Sequence, residues 1–229
     1  MRKLLLPLLI CLQATAFGAS HTLWYSRPAS LWVEALPLGN GRLGAMVFGN
    51  PAQEQLQLNE ETIWAGQPNN NPNPAALQFL PQIREMVFAG KYAEAEQLAT
   101  EKVMSQTNSG MPYQTFGDLR ISFRGHSQYT AYYRELSLDS ALARVRYKVG
   151  GVEYQREIFT SFPDQVVVMR LTASRKKSIT FSAILTSPHQ DVKITAEGND
   201  ITLSGITPTH ERLRGKVEFQ GRVTARLKG

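Results

Sequence analysis

The chain has 229 residues, of which 42% are hydrophobic and 19% are charged, and its formal net charge is +6. This composition excludes an intrinsically disordered chain, and the length suits one large domain or two small ones. Basic residues are interleaved with strand residues at Arg144, Arg146, Lys148 and Arg156, which is typical of solvated strand faces. Only residues 175–177 form a basic run, and its position between strands favours a turn. We therefore expect no nucleic-acid partner.

The first nineteen residues have the composition of a secretory signal peptide. Arg2 and Lys3 form a basic start, residues 4–12 are apolar, and small residues follow as a cleavage site. The apolar stretch is shorter than the roughly 20 residues of a membrane span, so we expect cleavage and no span in the mature protein. The sole cysteine, Cys11, lies in this segment, which excludes disulfides and thiolate metal sites from the mature protein. The sequence predicts export from a bacterium, to the periplasm or the extracellular space.

Two segments rich in glycine and polar residues follow, residues 36–50 and residues 56–66. Glycines allow sharp turns and close approach, and the polar and aromatic side chains are those that a sugar-facing loop uses. Arginine donates in a fixed geometry, asparagine donates and accepts, and tryptophan either stacks on a sugar or anchors a domain interface. The alternative is that the polar side chains pin the loop or pair with a neighbouring domain. The candidates for substrate proximity or a domain interface are Asn40, Arg42, Asn59, Glu60, Thr62 and Trp64.

Residues 69–104 interrupt a chain that is otherwise rich in strand patterns. Residues 69–74 contain two prolines among asparagines, which forbids regular structure. Pro81 is placed as the first residue of a helix that ends at Gly90, and residues 92–104 have the spacing of a second helix. We therefore predict a small helical hairpin inserted in a β domain.

After residue 110, apolar and polar residues alternate in short segments separated by turns, which is typical of β-sandwiches. Residues 144–159 predict a hairpin that turns at Gly150-Gly151, with Arg156 interrupting its apolar face. Residues 165–171 are rich in valine, which predicts a strand covered on both faces. Further strands are predicted for residues 178–186, for residues 192–206 as a hairpin turning near Gly198, and for residues 216–227.

The sequence offers no catalytic constellation. Glycosidic cleavage generally needs two carboxyl groups flanking the bond, and Glu60 and Glu61 are the only adjacent pair in a plausible loop. Neighbours in an extended segment point to opposite faces, so we expect one to face solvent and one to bond a turn. The four histidines lack metal-ligand spacing, and no nucleophile elbow or nucleotide-binding motif is present. We expect no catalytic residue, no metal and no cofactor in this chain.

Residues 36–50 and 56–66 closely resemble the opening of the α-L-fucosidases of glycoside hydrolase family 95. The resemblance covers nearly everything after the first nineteen residues, with further landmarks at residues 24–37, 90–96, 113–119, 133–139 and 156–165. It implies an all-β fold over residues 20–229, a β super-sandwich of the glycoside hydrolase N-terminal type with the small helical hairpin inserted.

The resemblance also implies an activity that belongs to a different domain. In complete members a separate (α/α)6 barrel hydrolyses terminal α-linked fucose with inversion and without a metal, and none of its catalytic residues can be carried onto this chain. We therefore expect a truncated N-terminal domain that is inactive alone and whose partners are a fucosylated glycan and the catalytic barrel. The alternative is a free-standing carbohydrate-binding β-sandwich module.

Overall fold

The computed structural model describes residues 21–105 and 110–228, so the predicted signal segment lies outside the described residues. Strands dominate the described part of the chain. In chain order the elements are β1 (Thr22–Tyr25), a short 3-10 helix (Trp32–Glu34), β2 (Leu36–Gly39), β3 (Leu43–Val47), β4 (Gln53–Glu60), α1 (Ala76–Phe88), α2 (Tyr92–Lys102), β5 (Gly117–Ser122), β6 (Thr130–Ser137), β7 (Leu142–Val149), β8 (Val152–Ser161), β9 (Val166–Ala173), β10 (Ser182–Thr186), β11 (Val192–Glu197), β12 (Asp200–Ile206) and β13 (Glu218–Thr224).

The strands form two five-stranded antiparallel sheets and a smaller third sheet. The first sheet has the order β1-β6-β7-β8-β9, the second β10-β5-β4-β3-β2, and the third β11-β12-β13. One hydrophobic core joins all three, because Ile158 of the first sheet, Leu56 of the second and Leu203 of the third are buried in the same cluster. The fold is therefore an all-β sandwich with an inserted helical hairpin, as the sequence predicted.

Both predicted β-hairpins are present, and glycines with positive φ make their turns. Gly150 and Gly151 have φ angles of 55° and 78°, the combination that a two-residue type I′ turn between twisted strands requires. The register pairs Val149 with Val152 across this turn. Gly198, with φ of 57°, turns the chain between β11 and β12. These turns were predictable because each depends on residues adjacent in sequence.

Arg156 contradicts the prediction that the basic strand residues are solvated. Its side chain is 1% exposed and pairs at 2.7 Å with Glu54, whose side chain is fully buried. The same guanidinium donates to the Tyr147 hydroxyl at 2.8 Å and to the main-chain carbonyls of Asn50 and Pro51 at 2.7 and 2.5 Å. A buried arginine is stable only with such partners, and Glu54 lies too far away in sequence for a local pattern to reveal it.

The first helix begins five residues before Pro81, so the prediction that Pro81 is its first residue was wrong. Asn73 starts the helix, because its carbonyl accepts from the Ala76 amide at 3.0 Å and its side chain accepts from the Ala75 amide at 3.0 Å. Pro81 then lies inside α1, where it forgoes one main-chain hydrogen bond.

The predicted end of α1 at Gly90 is confirmed. Gly90 has φ of 76°, and the amides of Gly90 and Lys91 donate to the carbonyls of Val87 and Met86, which is the Schellman arrangement. The second helix ends at Lys102, two residues before the predicted end. Neither helix in the described part of the chain has the length and apolar character that a membrane span requires.

The prediction that residues 165–171 form a strand covered on both faces was wrong about the burial. Residues 166–171 lie in β9, an edge strand of the first sheet, where none of the eight residues is buried and Val166 is 42% exposed. One face, carrying Val167, Met169 and Leu171, packs against the core, while Arg170 faces solvent. The following strand, β10, is also shorter than predicted and begins at Ser182.

Candidate functional site

The glycine-rich segment is a β-hairpin over most of its length. Leu36 and Leu38 of β2 and Ala45 and Val47 of β3 are all buried, and this alternation directs one face of the hairpin into the core. Residues 40–42, which form the turn of the hairpin, and residues 48–50 after β3 lie outside the strands. The loop that the sequence suggested is therefore reduced to these short stretches and to the chain that follows β4.

Asn40 organises the turn with both atoms of its carboxamide. Its Oδ1 accepts from the main-chain amides of Arg42 and Leu43 at 3.1 and 2.7 Å. Its Nδ2 donates to the carbonyl of Ser161 at 2.8 Å, at the end of β8 in the opposite sheet. Asn40 thus pins its own turn and ties it to the turn that follows β8.

Glu60 forms the centre of the polar contacts at this end of the sandwich. One carboxylate oxygen accepts from Arg42 Nε at 2.9 Å, and the other accepts from the Thr62 amide and hydroxyl at 2.8 and 2.6 Å. Burial raises the pKa of Glu60, but the hydrogen bonds from Thr62 and from Arg42 outweigh it and hold the pKa below the ordinary carboxyl range. The next residue, Glu61, is exposed.

Trp64 lies beside this polar group and is 44% exposed. Its indole nitrogen donates to the carbonyl of Glu61 at 2.8 Å, and its ring meets the edge of the Tyr113 ring at a centroid distance of 5.1 Å. The Tyr113 hydroxyl donates to the main-chain carbonyl of Glu60 at 3.0 Å. We call Arg42, Glu60, Thr62, Trp64 and Tyr113 the end cluster.

Tyr113 is the member of the end cluster that sequence reasoning did not select. It stands outside both glycine-rich segments and reaches Trp64 through an isolated β-bridge, so no spacing in the sequence places the two together. Burial raises the pKa of the Tyr113 hydroxyl, and the negative charges of Glu60 and Glu61 raise it further. The hydroxyl therefore stays protonated and remains a donor.

Asn59 is separate from the other candidates. It pairs with Gly44 across β3 and β4, and neighbouring strand residues project to opposite faces, so it faces away from the end cluster. A Cβ on Gly44 would lie 3.5 Å from the Asn59 Cβ, which shows how closely these two residues approach. The Asn59 Oδ1 atom is buried without a hydrogen-bond partner among the described residues.

Glu60 is the carboxyl group of the end cluster, and its lowered pKa means that it is ionised at neutral pH. A general acid needs a raised carboxyl pKa, whereas the carboxyl pKa values that shift within the described residues, those of Glu34, Glu60 and Asp200, are all lowered. The described residues also contain no group of three histidine, cysteine or acidic side chains positioned to hold a metal ion. The cluster can bind and position, and it has the exposed aromatic ring and the charged donor that such a role uses.

The lowered pKa of Glu60 can be tested by following the Thr62 amide as a function of pH. A lowered carboxyl pKa stabilises the folded state above the ordinary range, and the contribution is lost as pH falls through the lowered pKa. We therefore expect the Thr62 amide resonance in NMR spectra to keep its position through the ordinary carboxyl range and to shift only at lower pH. Thr62→Val removes the hydroxyl donor and should move that midpoint upward. Equal titration midpoints for the wild type and the variant would contradict the assignment.

The comparisons with known proteins agree with this architecture. The family model described as "Glycosyl hydrolase family 65, N-terminal domain" matches residues 23–229. Alpha-L-fucosidase 2 of Arabidopsis thaliana is 38% identical over 190 residues, which cover 80% of this chain and 22% of that protein. Probable alpha-fucosidase A of Aspergillus niger is 36% identical over 211 residues, which cover 86% of this chain and 26% of that protein.

A second fungal relative extends the pattern, since probable alpha-fucosidase A of Aspergillus oryzae is 27% identical over 211 residues, covering 87% of this chain and 28% of that protein. The chain thus spans about a quarter of the length of the curated relatives it matches. The assignment to family 95 in particular stays a prediction. On the match over residues 23–229, the chain belongs to the glycosyl hydrolase family 65 N-terminal domain family and is a glycoside hydrolase N-terminal domain of the fucosidase type.

Proposed function

We propose that this chain is the non-catalytic N-terminal domain of a longer family 95 α-L-fucosidase that hydrolyses terminal α-linked fucose from glycans with inversion. The observation that carries the proposal is the coverage of the relatives: proteins named as fucosidases match 80% or more of this chain, and the match takes up about a quarter of their length. The acids of the reaction then belong to a part of the protein that this chain does not include. This chain contributes a rigid surface.

The contacts of the end cluster support a division of work among the candidate residues. Both carboxylate oxygens of Glu60 accept hydrogen bonds within the chain, so we assign Glu60 to holding the loop. The Arg42 side chain is 53% exposed, and Trp64 as a whole residue is 44% exposed. Their outer surfaces are therefore free to meet another domain or the substrate. Exposed aromatic and arginine residues are the types that interfaces favour.

Phe162 extends the same surface. It is 71% exposed and follows Ser161, whose carbonyl accepts from Asn40, so it stands next to the turn that Asn40 organises. A large apolar side chain held this far into solvent is a frequent mark of an interaction surface. We propose that the end cluster and Phe162 together face the (α/α)6 catalytic barrel and help to shape the entrance to the fucose pocket.

A chimera tests this function. Residues 20–229 would replace the matched segment of the Aspergillus niger relative, and fucose release from fucosyl-lactose would be measured for the chimera and for the isolated chain. We expect release by the chimera, with the β anomer appearing first in NMR spectra because an inverting enzyme yields that configuration, and no release by the isolated chain. The proposal is overturned if the isolated chain releases fucose and if substitution of one of its own side chains abolishes that release.

The role of the end cluster is tested in the same chimera. Arg42→Ala and Thr62→Ala should lower kcat/KM on fucosyl-lactose by roughly tenfold, which corresponds to one lost charged hydrogen bond of about 1.4 kcal/mol. Arg120→Ala is the matched control, because its side chain is 49% exposed on β5 of the second sheet and belongs to neither proposed binding surface. Unchanged activity in the Arg42 and Thr62 variants would remove any role of this cluster in the site.

We also propose that residues 1–19 direct export to the periplasm or the extracellular space and are removed on the way. The support is the basic start and apolar stretch of the sequence. N-terminal sequencing of the product from a fractionated bacterial host tests it. A product that begins at Met1 and stays in the cytoplasmic fraction would contradict it.

A further inference from the structure

The outer face of the first sheet carries an aromatic platform that the end cluster does not use. Trp24 of β1 is 62% exposed and lies nearly parallel to Tyr133 of β6, with ring centroids 6.2 Å apart and an interplanar angle of 17°. Trp24 pairs with Glu135, so Trp24, Tyr133 and Glu135 share the face that points away from the core. Because the two rings stack and β1 is an edge strand of its sheet, the exposed part of the Trp24 indole is the apolar area that this pair presents to solvent.

Polar groups fix the platform and border it. The Tyr133 hydroxyl donates to Glu135 at 2.9 Å, which holds the ring in one orientation. The guanidinium of Arg146 lies over the Tyr133 ring, 5.3 Å from its centroid, and its side chain is 43% exposed. Arg144 donates to the same carboxylate of Glu135. The Tyr133 ring is thus held in place before any ligand arrives, and Trp24 stacks on it, which lowers the entropy cost of binding.

The charges around the platform nearly cancel. The strand register places Glu135, Arg144, Glu157 and Arg170 in one row across β6 to β9, and each is within ion-pair distance of the next. This row alternates in sign, so it offers an anionic ligand little net attraction. Its carboxylates accept and its guanidinium groups donate, which together complement the hydroxyl groups of a neutral sugar.

We propose that the exposed indole of Trp24, backed by the Tyr133 ring, binds a neutral pyranose ring of a glycan. The apolar face of the sugar lies on the indole ring, and its hydroxyl groups bond to the Glu135 carboxylate opposite Trp24 on the neighbouring strand. This inference extends the proposed function, since it assumes a glycan as the substrate class. The platform holds the glycan by residues other than those of the end cluster.

The three tryptophans of the chain make a direct test possible, because each belongs to a different segment of the fold. Trp24 is in the platform, Trp32 is 57% exposed in the short 3-10 helix, and Trp64 is in the end cluster. The isotope-labelled chain would be titrated with fucosyl-lactose and with cellotetraose while the three indole N–H resonances are followed. We expect the Trp24 resonance to shift and saturate while the resonances of Trp32 and Trp64 stay in place.

Variants separate binding from folding. Trp24→Ala should weaken saccharide affinity at least tenfold, Trp24→Phe should retain part of it, and the matched control Trp32→Ala should leave it unchanged, each with an unaltered far-ultraviolet spectrum. A polyanionic saccharide such as polygalacturonate should not outcompete the neutral ones. The proposal is overturned if Trp24 responds to neither saccharide, or if the response belongs to Trp64.

The two proposals fail independently. If the chimera hydrolyses an aryl fucoside while Trp24 ignores saccharides, the proposed function stands and the platform does not. If the chimera is inactive while Trp24 shifts and saturates, the platform stands as a binding surface of a β-sandwich module. Protection of Trp24 from an aqueous quencher in the chimera, compared with the isolated chain, would assign this face to a domain contact and would overturn the glycan proposal.

Discussion

Replacing Arg156 with leucine is expected to lower the free energy of unfolding by about 3–5 kcal/mol, because it leaves the Glu54 carboxylate buried without its cationic partner. Both side chains are almost wholly buried, and the guanidinium also lies 4.2 Å from the centre of the Phe123 ring. The Asn50 carbonyl would lose its donor as well. Urea denaturation of the chain, followed by fluorescence, measures the loss.

Two controls show whether the loss comes from the pair. Changing Glu54 and Arg156 together to leucine should cost less than the sum of the single changes, since no unpaired charge then remains in the core. Arg170→Leu, which breaks an exposed contact of 3.7 Å with Glu157, should change stability by less than about 1 kcal/mol. If Arg156→Leu lowers the free energy of unfolding no more than Arg170→Leu does, the buried pair is not needed for stability.

Replacing Gly117 with alanine is expected to cost about 2–6 kcal/mol. Gly117 has φ of 143°, and a Cβ there would lie 2.1 Å from the main-chain oxygen of Thr186 in β10. The backbone strain and the overpacking each contribute about 1–3 kcal/mol, and the obstructing atom is main chain, which cannot rotate away. Because Gly117 begins the strand between β4 and β10, the change acts on the middle of the second sheet.

Gly125→Ala separates the two contributions. Gly125 also has positive φ, at 84°, but a Cβ there meets nothing within 4 Å. Its substitution should therefore cost only the strain, about 1–2 kcal/mol. Equal thermal unfolding midpoints for the two variants would contradict the claim that Gly117 is glycine because another strand approaches it.

The features that the sequence predicted correctly are those that depend on near neighbours. The turns at Gly150 and Gly198 and the helix end at Gly90 each follow from a few consecutive residues, and all three are present. The all-β fold follows from the alternation after residue 110. The start of α1 was missed because the asparagine turn at Asn73 competes with the preference of Pro81 for a first turn, and the asparagine prevails.

The features that were missed depend on distant parts of the chain. The burial of Arg156 depends on Glu54, and the ordering of Trp64 depends on Tyr113, which comes from beyond the helical hairpin. The burial of β9 was overestimated because a valine-rich run is the same in a central strand and an edge strand until the sheet order is known. The sequence placed the candidate residues near one another, but it could not tell which of their polar atoms would already be engaged.

The hydrogen bond from Asn40 to Ser161 joins a turn of one sheet to a strand end of the other. A sandwich whose layers meet only through side-chain packing resists sliding weakly at its rims, where the apolar contacts thin out. The Asn40 carboxamide links the two sheets at this rim and opposes their sliding past one another. A docking domain would consequently meet the Arg42 turn and Phe162 at a fixed separation. Asn40→Ala would let the distance between the two vary without disturbing the centre of the fold.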